Sequence, residues 1–290
     1  MTFNDKKTQQ IRLAFFSLLL VLFPAISWGD HNSCGTLKVG WVETPPYQMT
    51  RNDLSIYDTK NERPLPTGSD IDLAKRYLGA LGCNLVYVKQ PWPRLLRNME
   101  HGKIDLLLGV PYIKSYTDFA VFSTPYREED IQLFTLSDNP LSDDMKNLES
   151  ILEQGFRLGV MGYYFYGDKF QKLRAEPRYQ DHIHEFTFGK ENYQMLLANR
   201  LDGYLMDKAA GMCKIEEIAS AGVAVQSLDL GITFPVHMMF SKDSLSPALL
   251  QKLDRLIKRD TPRSGKSGNG DRLEDQTESA TLVEQPPSSM

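Results

Sequence analysis

The sequence has little that would suit a nucleic-acid-binding protein or a metalloprotein. Its 33 basic residues are outnumbered by 37 acidic ones, and no basic block lies outside the N-terminus. A nucleic-acid partner requires a basic face, so none is expected. The five histidines are scattered and the three cysteines form no C-x-x-C pair, so neither a metal ion nor another cofactor is expected.

Long hydrophobic runs are absent after the first thirty residues. Residues 13–23 are apolar except for Ser17. Three basic residues precede this run, and the small residues Ser27 and Gly29 follow it. This order is typical of a secretory signal peptide, whereas a membrane anchor is the alternative, for which the run is short. We therefore expect residues 1–29 to be a signal peptide and the mature protein to be periplasmic.

Two of the three cysteines precede predicted strands. Cys34 precedes "TLKVGW" and Cys83 precedes "NLVYVKQ". Neighbouring parallel strands begin close together, so an oxidising compartment favours a Cys34–Cys83 disulfide. The alternative is that both are small, buried thiols, and Cys213 is expected to be buried as well.

Predicted strands and helices alternate along the chain. The first set is strand "TLKVGWV", helix "SDIDLAKRYLGALG" capped by Ser69, strand "NLVYVKQ", helix "PRLLRNMEHG" and strand "KIDLLLGV". The apolar run of the last strand indicates burial on both faces. This βαβαβ order predicts a parallel sheet with right-handed crossovers.

A second set of alternating elements starts near residue 140. It closes with two predicted strands, "VAVQSL" and "VHMMFSK", and the amphipathic helix "PALLQKLDRLIKR". The segment "ANRLDGYLMD" also weakly echoes "HGKIDLLLGV" of the first set. We therefore expect two similar α/β lobes with a cleft at the carboxyl ends of their strands. Residues 263–290 are polar and are expected to be disordered.

Five stretches occur in an order that is specific as a set, although none is diagnostic alone. They are "GTLKVGWVETPPYQM", "GSDIDLAKRYLGALGCNLVYVKQPWPRLLRNMEHGKIDLLLG", "FAVFSTPYREE", "LGVMGYYFYGDKF" and "LLANRLDGYLMDKAA". Together they resemble the periplasmic solute-binding proteins of polar amino-acid ABC transporters, bacterial family 3. The resemblance covers about Gly35 to Arg259.

The resemblance implies a fold of the type II periplasmic-binding-protein kind: α/β, with two Rossmann-like lobes. Two hinge strands would join the lobes, near Leu133–Asp138 and Leu228–Met238. Lobe 1 would comprise residues 30–137 plus 233–262, and lobe 2 residues 138–232.

The same resemblance implies a function without catalysis. A small polar solute, an amino acid or a related compound, would bind between the lobes of a monomer and favour their closure. An inner-membrane ABC permease would then receive it. A dehydratase-like enzyme on the same fold and a ligand-sensing module for a separate receptor are the alternatives.

Two charged groups are expected at the ligand. Similar proteins bind the ligand carboxylate with an arginine six residues before the Phe of "FS", a position that here is Tyr116. Lys114 is the nearest cation and would act as a point charge, unless it is an ordinary surface lysine. Asp207 matches the aspartate that binds the ligand ammonium, and its alternative role is to cap the following helix.

Two aromatic residues and one acid are expected to contact the ligand from lobe 1. Tyr47 and Trp92 match aromatic contacts, with core packing as the alternative. Glu43 matches a polar contact at the end of the first strand, with an exposed rim position as the alternative.

The remaining expected contacts lie in three segments. Gly109 and Tyr112 follow the leucine run, and Asp70 stands at a helix start that matches the family pattern. Tyr163 and Tyr166 belong to "MGYYFYGD", a turn before a helix N-terminus, where backbone N–H groups favour an anion.

Overall fold

The structure is a computed structural model of the chain. It describes residues 34–50, 57–58, 63–138, 145, 147–187, 189–219 and 222–260. The predicted signal peptide and the predicted disordered tail lie outside these residues. No helix in the described residues is both long and apolar enough to cross a membrane.

The predicted βαβαβ order at the start of the chain is confirmed. Its elements are β1 (Thr36–Trp41), α1 (Ser69–Ala80), β6 (Asn84–Lys89), α2 (Trp92–Glu100) and β7 (Leu106–Pro111). Strand β1 lies between β6 and β7 and pairs in parallel with both. Among the described residues between β1 and α1 are four two-residue strands, β2 (Met49–Thr50), β3 (Tyr57–Asp58), β4 (Arg63–Pro64) and β5 (Pro66–Thr67).

The rest of the described chain continues the alternation. Its strands are β8 (Ala120–Phe122), β9 (Arg127–Leu136), β10 (Leu158–Met161), β11 (Ile183–Phe186), β12 (Gly203–Asp207) and β13 (Val225–Ser241). Its helices are α3 (Leu148–Glu153), α4 (Asp168–Ala175), α5 (Gly189–Leu197), α6 (Lys208–Ala219) and α7 (Pro247–Asp260). Short 3₁₀ turns occupy Lys114–Asp118 and Pro177–Tyr179.

One mixed sheet joins these elements, in the order β11-β10-β12-β9-β13-β7-β1-β6, with β8 paired to β13. We call β1 and β6–β8 with α1, α2 and α7 the first half, and β10–β12 with α3–α6 the second half. Strands β9 and β13 are antiparallel to each other and join the halves: β9 pairs with β12, and β13 pairs with β7. The type II periplasmic-binding-protein fold is therefore confirmed.

Strand β13 differs from the prediction of two separate strands. It runs for 17 residues from Val225 to Ser241. A register shift between Asp229 and Ile232, with Gly231 at a φ of 65°, accommodates the break in the sequence pattern. Pairing with β9 resumes beyond the shift, so the strand continues from one half into the other.

Strand β7 is buried on both faces, as its apolar run predicts. Leu106 and Leu108 belong to a core cluster with α1 and α7. Leu107 belongs to a cluster with α2 on the other face, and Val110 joins that cluster beyond Gly109, where a φ of 68° and a register shift against β13 break the alternation. Alternate side chains of a strand point to opposite faces, so one leucine run supplies both cores.

Helix α1 starts at Ser69, the residue predicted to be its cap, so its N-cap lies one residue earlier than predicted. Gly68, with a φ of 118°, is the N-cap, and no side chain caps the helix, so the prediction that Ser69 is the cap is wrong. A Cβ at Gly68 would lie 2.4 Å from the Tyr47 carbonyl oxygen, which explains why glycine is required. The N–H groups of Ser69 and Asp70 donate to the Pro46 and Tyr47 carbonyls, at 3.1 Å each. The start of α1 thereby fixes the loop that carries Tyr47.

The Cys34–Cys83 disulfide is present. It lies at the start of the β1–β6 pair, where Thr36 is in register with Asn84. The third cysteine, Cys213, is half-buried rather than buried.

Removing the disulfide should destabilise the protein. The cross-link spans a sequence separation of 49 residues. Loop-closure entropy then gives a stabilisation of about 4 kcal/mol. We expect the Cys34→Ser/Cys83→Ser double variant to lose about this much free energy of unfolding in urea titrations.

A Cys213→Ser variant is the matched control. It keeps the disulfide and should lose the same stability as the wild type when a reductant is added. A double variant with an unchanged urea midpoint would contradict the prediction.

Candidate ligand-binding cleft

A cavity of about 1000 Å³ opens where the carboxyl ends of β1, β6 and β7 face those of β10 and β12. Its principal lining residues are Glu43, Tyr47, Gln48, Lys89, Trp92, Gly109 and Tyr116 from the first half, Met161, Tyr163, Tyr164, Phe165, Met206 and Lys214 from the second, and Arg127, Glu129 and Phe234 from the joining strands. The carboxyl ends of strands are the usual ligand position in open α/β sheets. We call this cavity the cleft.

The structure brings six of the eleven sequence-predicted ligand contacts to the cleft. They are Glu43, Tyr47, Trp92, Gly109, Tyr116 and Tyr163. The other five, Asp70, Tyr112, Lys114, Tyr166 and Asp207, lie outside the lining. Whether any of these residues contacts a ligand stays a prediction.

Arg127, which the sequence reasoning missed, holds the first half of the cleft together. Its Nε donates to Asp70 Oδ1 at 2.8 Å and its Nη2 donates to Asp70 Oδ2 at 3.1 Å. Asp70 is fully buried, so it supports Arg127 from behind the wall. Burial would lower the pKa of Arg127, but the hydrogen bonds and charge of Asp70 outweigh it and raise that pKa.

Gly109 makes room for this ion pair. Its φ of 68° is in the left-handed region, and a Cβ there would lie 2.9 Å from Arg127 Nη2. Its N–H donates to the Tyr126 hydroxyl at 2.8 Å. The end of β7 therefore presents backbone, not side chain, to the cleft.

Tyr47 links the two halves. Its ring centroid lies 3.7 Å from the guanidinium carbon of Arg127, and its hydroxyl donates to Asp207 Oδ1 at 2.8 Å. Burial, followed by the charge of Asp207, raises the pKa of Tyr47. A residue from the first half thus reaches a carboxylate of the second.

Asp207 fills the alternative role that the sequence left open. It accepts a hydrogen bond from the N–H of Ala210 at 3.1 Å, which caps the start of α6, and another from the N–H of Asp130 at 3.2 Å. With Tyr47 as a third donor and a residue exposure of 3%, its carboxylate is well satisfied and set back from the cleft.

Glu129, also missed, is the buried acid that does line the cleft. One oxygen accepts from Arg127 Nη2 at 3.1 Å and the other accepts from the Tyr164 hydroxyl. Burial raises the pKa of Glu129 to about 7, and nearby Asp207 adds to this rise while Arg127 and Tyr164 oppose it. The residue connects an arginine of the joining strand to a tyrosine of the second half.

In the segment "YREED", Arg127 and Glu129 are two residues apart, and this spacing is the sequence signal that would have identified the pair. Arg127 and Glu129 are two residues apart on β9, so they lie on the same face of the strand. The predicted hinge strand began only at Leu133, whereas β9 begins at Arg127, so the sequence analysis did not place these two residues on a strand.

These features can be compared with known proteins. The family model for bacterial extracellular solute-binding proteins, family 3, matches residues 37–264. The chain belongs to this family.

Solved structures of other proteins share this fold. An ancestral arginine-binding protein bound to glutamine superposes with a TM-score of 0.61, at 23% identity, covering 78% of this chain and 91% of the other. The arginine-bound, truncated arginine-binding protein of T. maritima gives 0.60 at 17% identity, covering 78% and 96%. An ancestral amino-acid-binding protein, a precursor of cyclohexadienyl dehydratase, gives 0.56 at 22% identity, covering 78% and 89%. At these identities the likeness shows the fold alone.

One curated relative has an enzyme's name. The cyclohexadienyl dehydratase of Pseudomonas aeruginosa is 31% identical over 78 residues. The match spans 27% of this chain and 29% of the dehydratase. It is therefore partial and does not decide between binding and catalysis.

The rim of this family-3 cleft carries a second ion pair. The Lys89 ammonium donates to Glu43 and lies 4.5 Å from the Trp41 ring centroid. Thr50 donates to Glu43 through both its N–H and its hydroxyl, at 2.8 Å each. Burial would raise the pKa of Glu43, but these hydrogen bonds lower it. Glu43 is thus a half-exposed, paired group.

Three tyrosines near the cleft differ in their surroundings. Tyr112 is 58% exposed, with its ring 5.1 Å from Phe122. Tyr166 is buried, and its hydroxyl accepts from the Met161 N–H at 2.9 Å. Tyr116 lines the cleft and packs on Phe119, with ring centroids 5.7 Å apart.

Lys114 lies exposed on the 3₁₀ turn of residues 114–118. It is not among the residues that line the cleft. In the residues that the structure describes, no group of three or more His, Cys, Asp or Glu side chains could hold a metal ion.

Removing the Asp70 charge should strongly destabilise the fold. An Asp70→Asn variant would leave the Arg127 guanidinium in a buried position with only Glu129 to balance it. Loss of one partner of a buried ion pair costs about 3–5 kcal/mol. Urea titration should report a loss of this size.

Asp72→Asn is the matched control, since Asp72 lies in the same helix with a side chain that is 68% exposed. Its substitution should change the free energy of unfolding by no more than about 0.5 kcal/mol. Equal effects of the two substitutions would contradict a structural role for the Asp70–Arg127 pair.

Glu129 should make stability fall as the pH rises. Its pKa is about 7 in the folded protein against an ordinary value of 4.5, so between these values the folded state holds a proton that the unfolded state has lost. The free energy of unfolding therefore decreases from about pH 4.5 to 7, by roughly 3 kcal/mol in all.

The measurement is urea unfolding of the wild type and of Glu129→Gln, at pH 5 and pH 8. Glu129→Gln lacks this titration. The difference in free energy of unfolding, variant minus wild type, should therefore be larger at pH 8 than at pH 5, by roughly 2–3 kcal/mol. Glu128→Gln, an exposed neighbour in β9, should show no such change. Identical pH dependence of wild type and Glu129→Gln would refute the expectation.

Proposed function

We propose that this protein binds a small polar solute, an amino acid or a related compound, in the cleft, and that two lobes close around it. The observation that carries the proposal is the cleft of about 1000 Å³, lined from both halves and crossed by the Tyr47–Asp207 hydrogen bond. Cavities of 300–1000 Å³ are typical of small-molecule sites, so the volume supports a small ligand.

The proposed lobes follow the sequence-based division: residues 30–137 plus 233–262, and residues 138–232. Strands β9 and β13 are the joining strands, so bending within them would open and close the cleft. A ligand that touches both lobes only in the closed state stabilises that state in proportion to its differential affinity.

Each proposed ligand contact has a physical role. Tyr47, Trp92, Tyr116 and Tyr163 provide aromatic walls from both halves. Asp207 would accept a hydrogen bond from the ligand ammonium once the Tyr47 hydroxyl no longer donates to it. Four further predicted contacts, Glu43, Gly109, Asp70 and Tyr166, act either at the lining or from behind it.

Glu43 and Gly109 act at the lining itself, whereas Asp70 and Tyr166 act from behind it by holding Arg127 and Met161 in position. Tyr112 precedes the 3₁₀ turn and Lys114 begins it, and neither lines the cleft, so contact would require this segment to move.

The biological role follows from the family. Family-3 proteins are extracellular, and we propose that this one is exported to the periplasm by residues 1–29, acts as a monomer and delivers its solute to an inner-membrane ABC permease. A periplasmic location also agrees with the Cys34–Cys83 disulfide, because such bonds persist in oxidising compartments.

A dehydratase-like enzyme is the second candidate, and one observation favours it. Elimination of water needs a proton for the departing hydroxyl, and a general acid works best with a pKa near the working pH. Glu129 lines the cleft with a pKa of about 7. The partial similarity to a dehydratase agrees with this candidate.

A solute that binds should raise the melting temperature of the purified full-length chain. At a ligand concentration 100 times Kd, binding to the folded state alone adds about 2.7 kcal/mol of stability. Thermal-shift measurements with amino acids, polyamines, small acids and sugars would identify the class, and we expect an amino acid or a related compound to give the shift.

Mass spectrometry of each stabilising solute after incubation separates the two candidates. Recovery of the unchanged solute supports a binding protein, whereas loss of water from it would establish an enzyme. If no solute in the panel raised the melting temperature, the solute-binding proposal would be wrong.

A further inference from the structure

Carboxylates outnumber cations around the cleft. Among described charged side chains that line it or bond to the side chain of a lining residue, the carboxylates are Glu43, Asp70, Glu129 and Asp207, and the cations are Lys89, Arg127 and Lys214. Lys89 and Glu43 neutralise each other at the rim. Three buried carboxylates then remain against two cations, Arg127 and Lys214, and Arg127 bonds two of the three, Asp70 and Glu129.

Only one of these three buried carboxylates reaches the cleft. Asp70 is fully buried and bonded twice by Arg127, and Asp207 is 3% exposed with three donors. Glu129 has two donors and lines the cleft. Since a carboxylate has about four acceptor sites, Glu129 keeps acceptor capacity on its cleft side.

An independent feature points to a ligand that donates hydrogen bonds. Gln48 is 5% exposed and lines the cleft near Arg127. Its Oε1 has no hydrogen-bond donor within the described part of the chain. Buried polar atoms are normally satisfied, so an N–H donor from the cleft would complete this site.

The aromatic lining suits a cation as well. Tyr163 and Tyr164 from the second half and Tyr47 and Trp92 from the first line the same cleft. The face of an aromatic ring attracts a cation, and the attraction is greatest when the cation is desolvated.

We propose that the cleft selects solutes with a net positive charge, organic amines or guanidines, and that Glu129 receives their cationic nitrogen. This inference rests on the proposed solute-binding function and deepens it by naming the ligand class. Arg127 then acts as a positioning residue: its guanidinium bonds Asp70 and Glu129 and lies against Tyr47, and the bidentate pair with Asp70 already balances its positive charge.

A proton exchange accompanies binding. A protonated Glu129 loses its proton to the buffer when the cation arrives, and its carboxylate then pairs with the ligand. The titratable or charged groups that face Glu129 are Arg127, Asp207, Tyr47, Tyr164 and Tyr166. The tyrosine pKa values are raised by burial and that of Arg127 is raised by Asp70, so these four groups keep their protons at neutral pH.

The test uses pairs of solutes that share a shape and differ by one positive charge: arginine and citrulline, lysine and norleucine, tyramine and 4-ethylphenol. Isothermal titration calorimetry of the full-length chain should give, for at least one pair, a Kd at least tenfold lower for the cation. Equal or tighter binding of the neutral member in every pair that binds would overturn the charge selection.

Glu129→Gln tests the assigned residue. It should weaken binding of the preferred cation at least tenfold and leave its neutral counterpart unchanged, whereas Glu128→Gln, the exposed neighbour, should bind like the wild type. Wild-type affinity should also fall between pH 8 and pH 5.5, and that of Glu129→Gln should not. Glu129→Asp keeps the charge and should keep the preference, which guards against misfolding of the amide variant. Unchanged cation affinity in Glu129→Gln would remove Glu129 from the site.

The outcomes separate this inference from the proposed function. Suppose that none of the pairs binds but the wider solute screen finds a ligand. A ligand with a net positive charge then supports the inference. A neutral or anionic ligand overturns the charge selection, while the proposed binding function stands. If no solute of any charge binds, both are wrong.

Discussion

The buried ion pair between Arg127 and Asp70 is the interaction on which the rest of the cleft depends. Taking both charges out of water is costly, and only close, multiple hydrogen bonds recover that cost. The structure meets this need with two bonds to Asp70, which is fully buried, and a third to Glu129. Each supporting feature has a local cause. Gly109 leaves space for the guanidinium, and the start of α1 fixes both Asp70 and the Tyr47 carbonyl.

Two hydrogen bonds extend this support into the second half. Tyr47 donates to Asp207, and Tyr164 donates to Glu129, so each half supplies one tyrosine hydroxyl and each hydroxyl meets a buried carboxylate. Separating the halves would break the Tyr47–Asp207 bond and leave Asp207 with two of its three donors, the N–H groups of Ala210 and Asp130. Hydrogen bonds to charged groups contribute about 1.5–3 kcal/mol each. A solute that donates to the same carboxylates therefore competes with, and can replace, contacts that the protein makes with itself.

Local pattern predicted the fold better than it predicted the site. The leucine run of β7, the stripe of α7 and the positions of Cys34 and Cys83 depend on periodicity and on strand order, which the sequence displays directly. Predicted contacts such as Tyr47 and Trp92 came from the resemblance, and they line the cleft. Arg127 and Glu129 were missed because their importance depends on Asp70, which is 57 residues away in the chain, and on Tyr164, 35 residues away. Tyr166 was expected at the ligand because it is in an aromatic turn, yet its hydroxyl is used by the backbone of Met161.

The same acid can serve binding or catalysis, and its surroundings indicate which is favoured. A general acid must deliver its proton to a substrate atom and be able to recover one. Both oxygens of Glu129 already accept hydrogen bonds, one from an arginine that favours the ionised form and one from a tyrosine. This arrangement holds the Glu129 carboxylate in place, where it can pair with a cationic ligand. Its raised pKa results mainly from burial, which an arriving cation would offset. On this reasoning the site is better suited to holding a cation than to donating a proton.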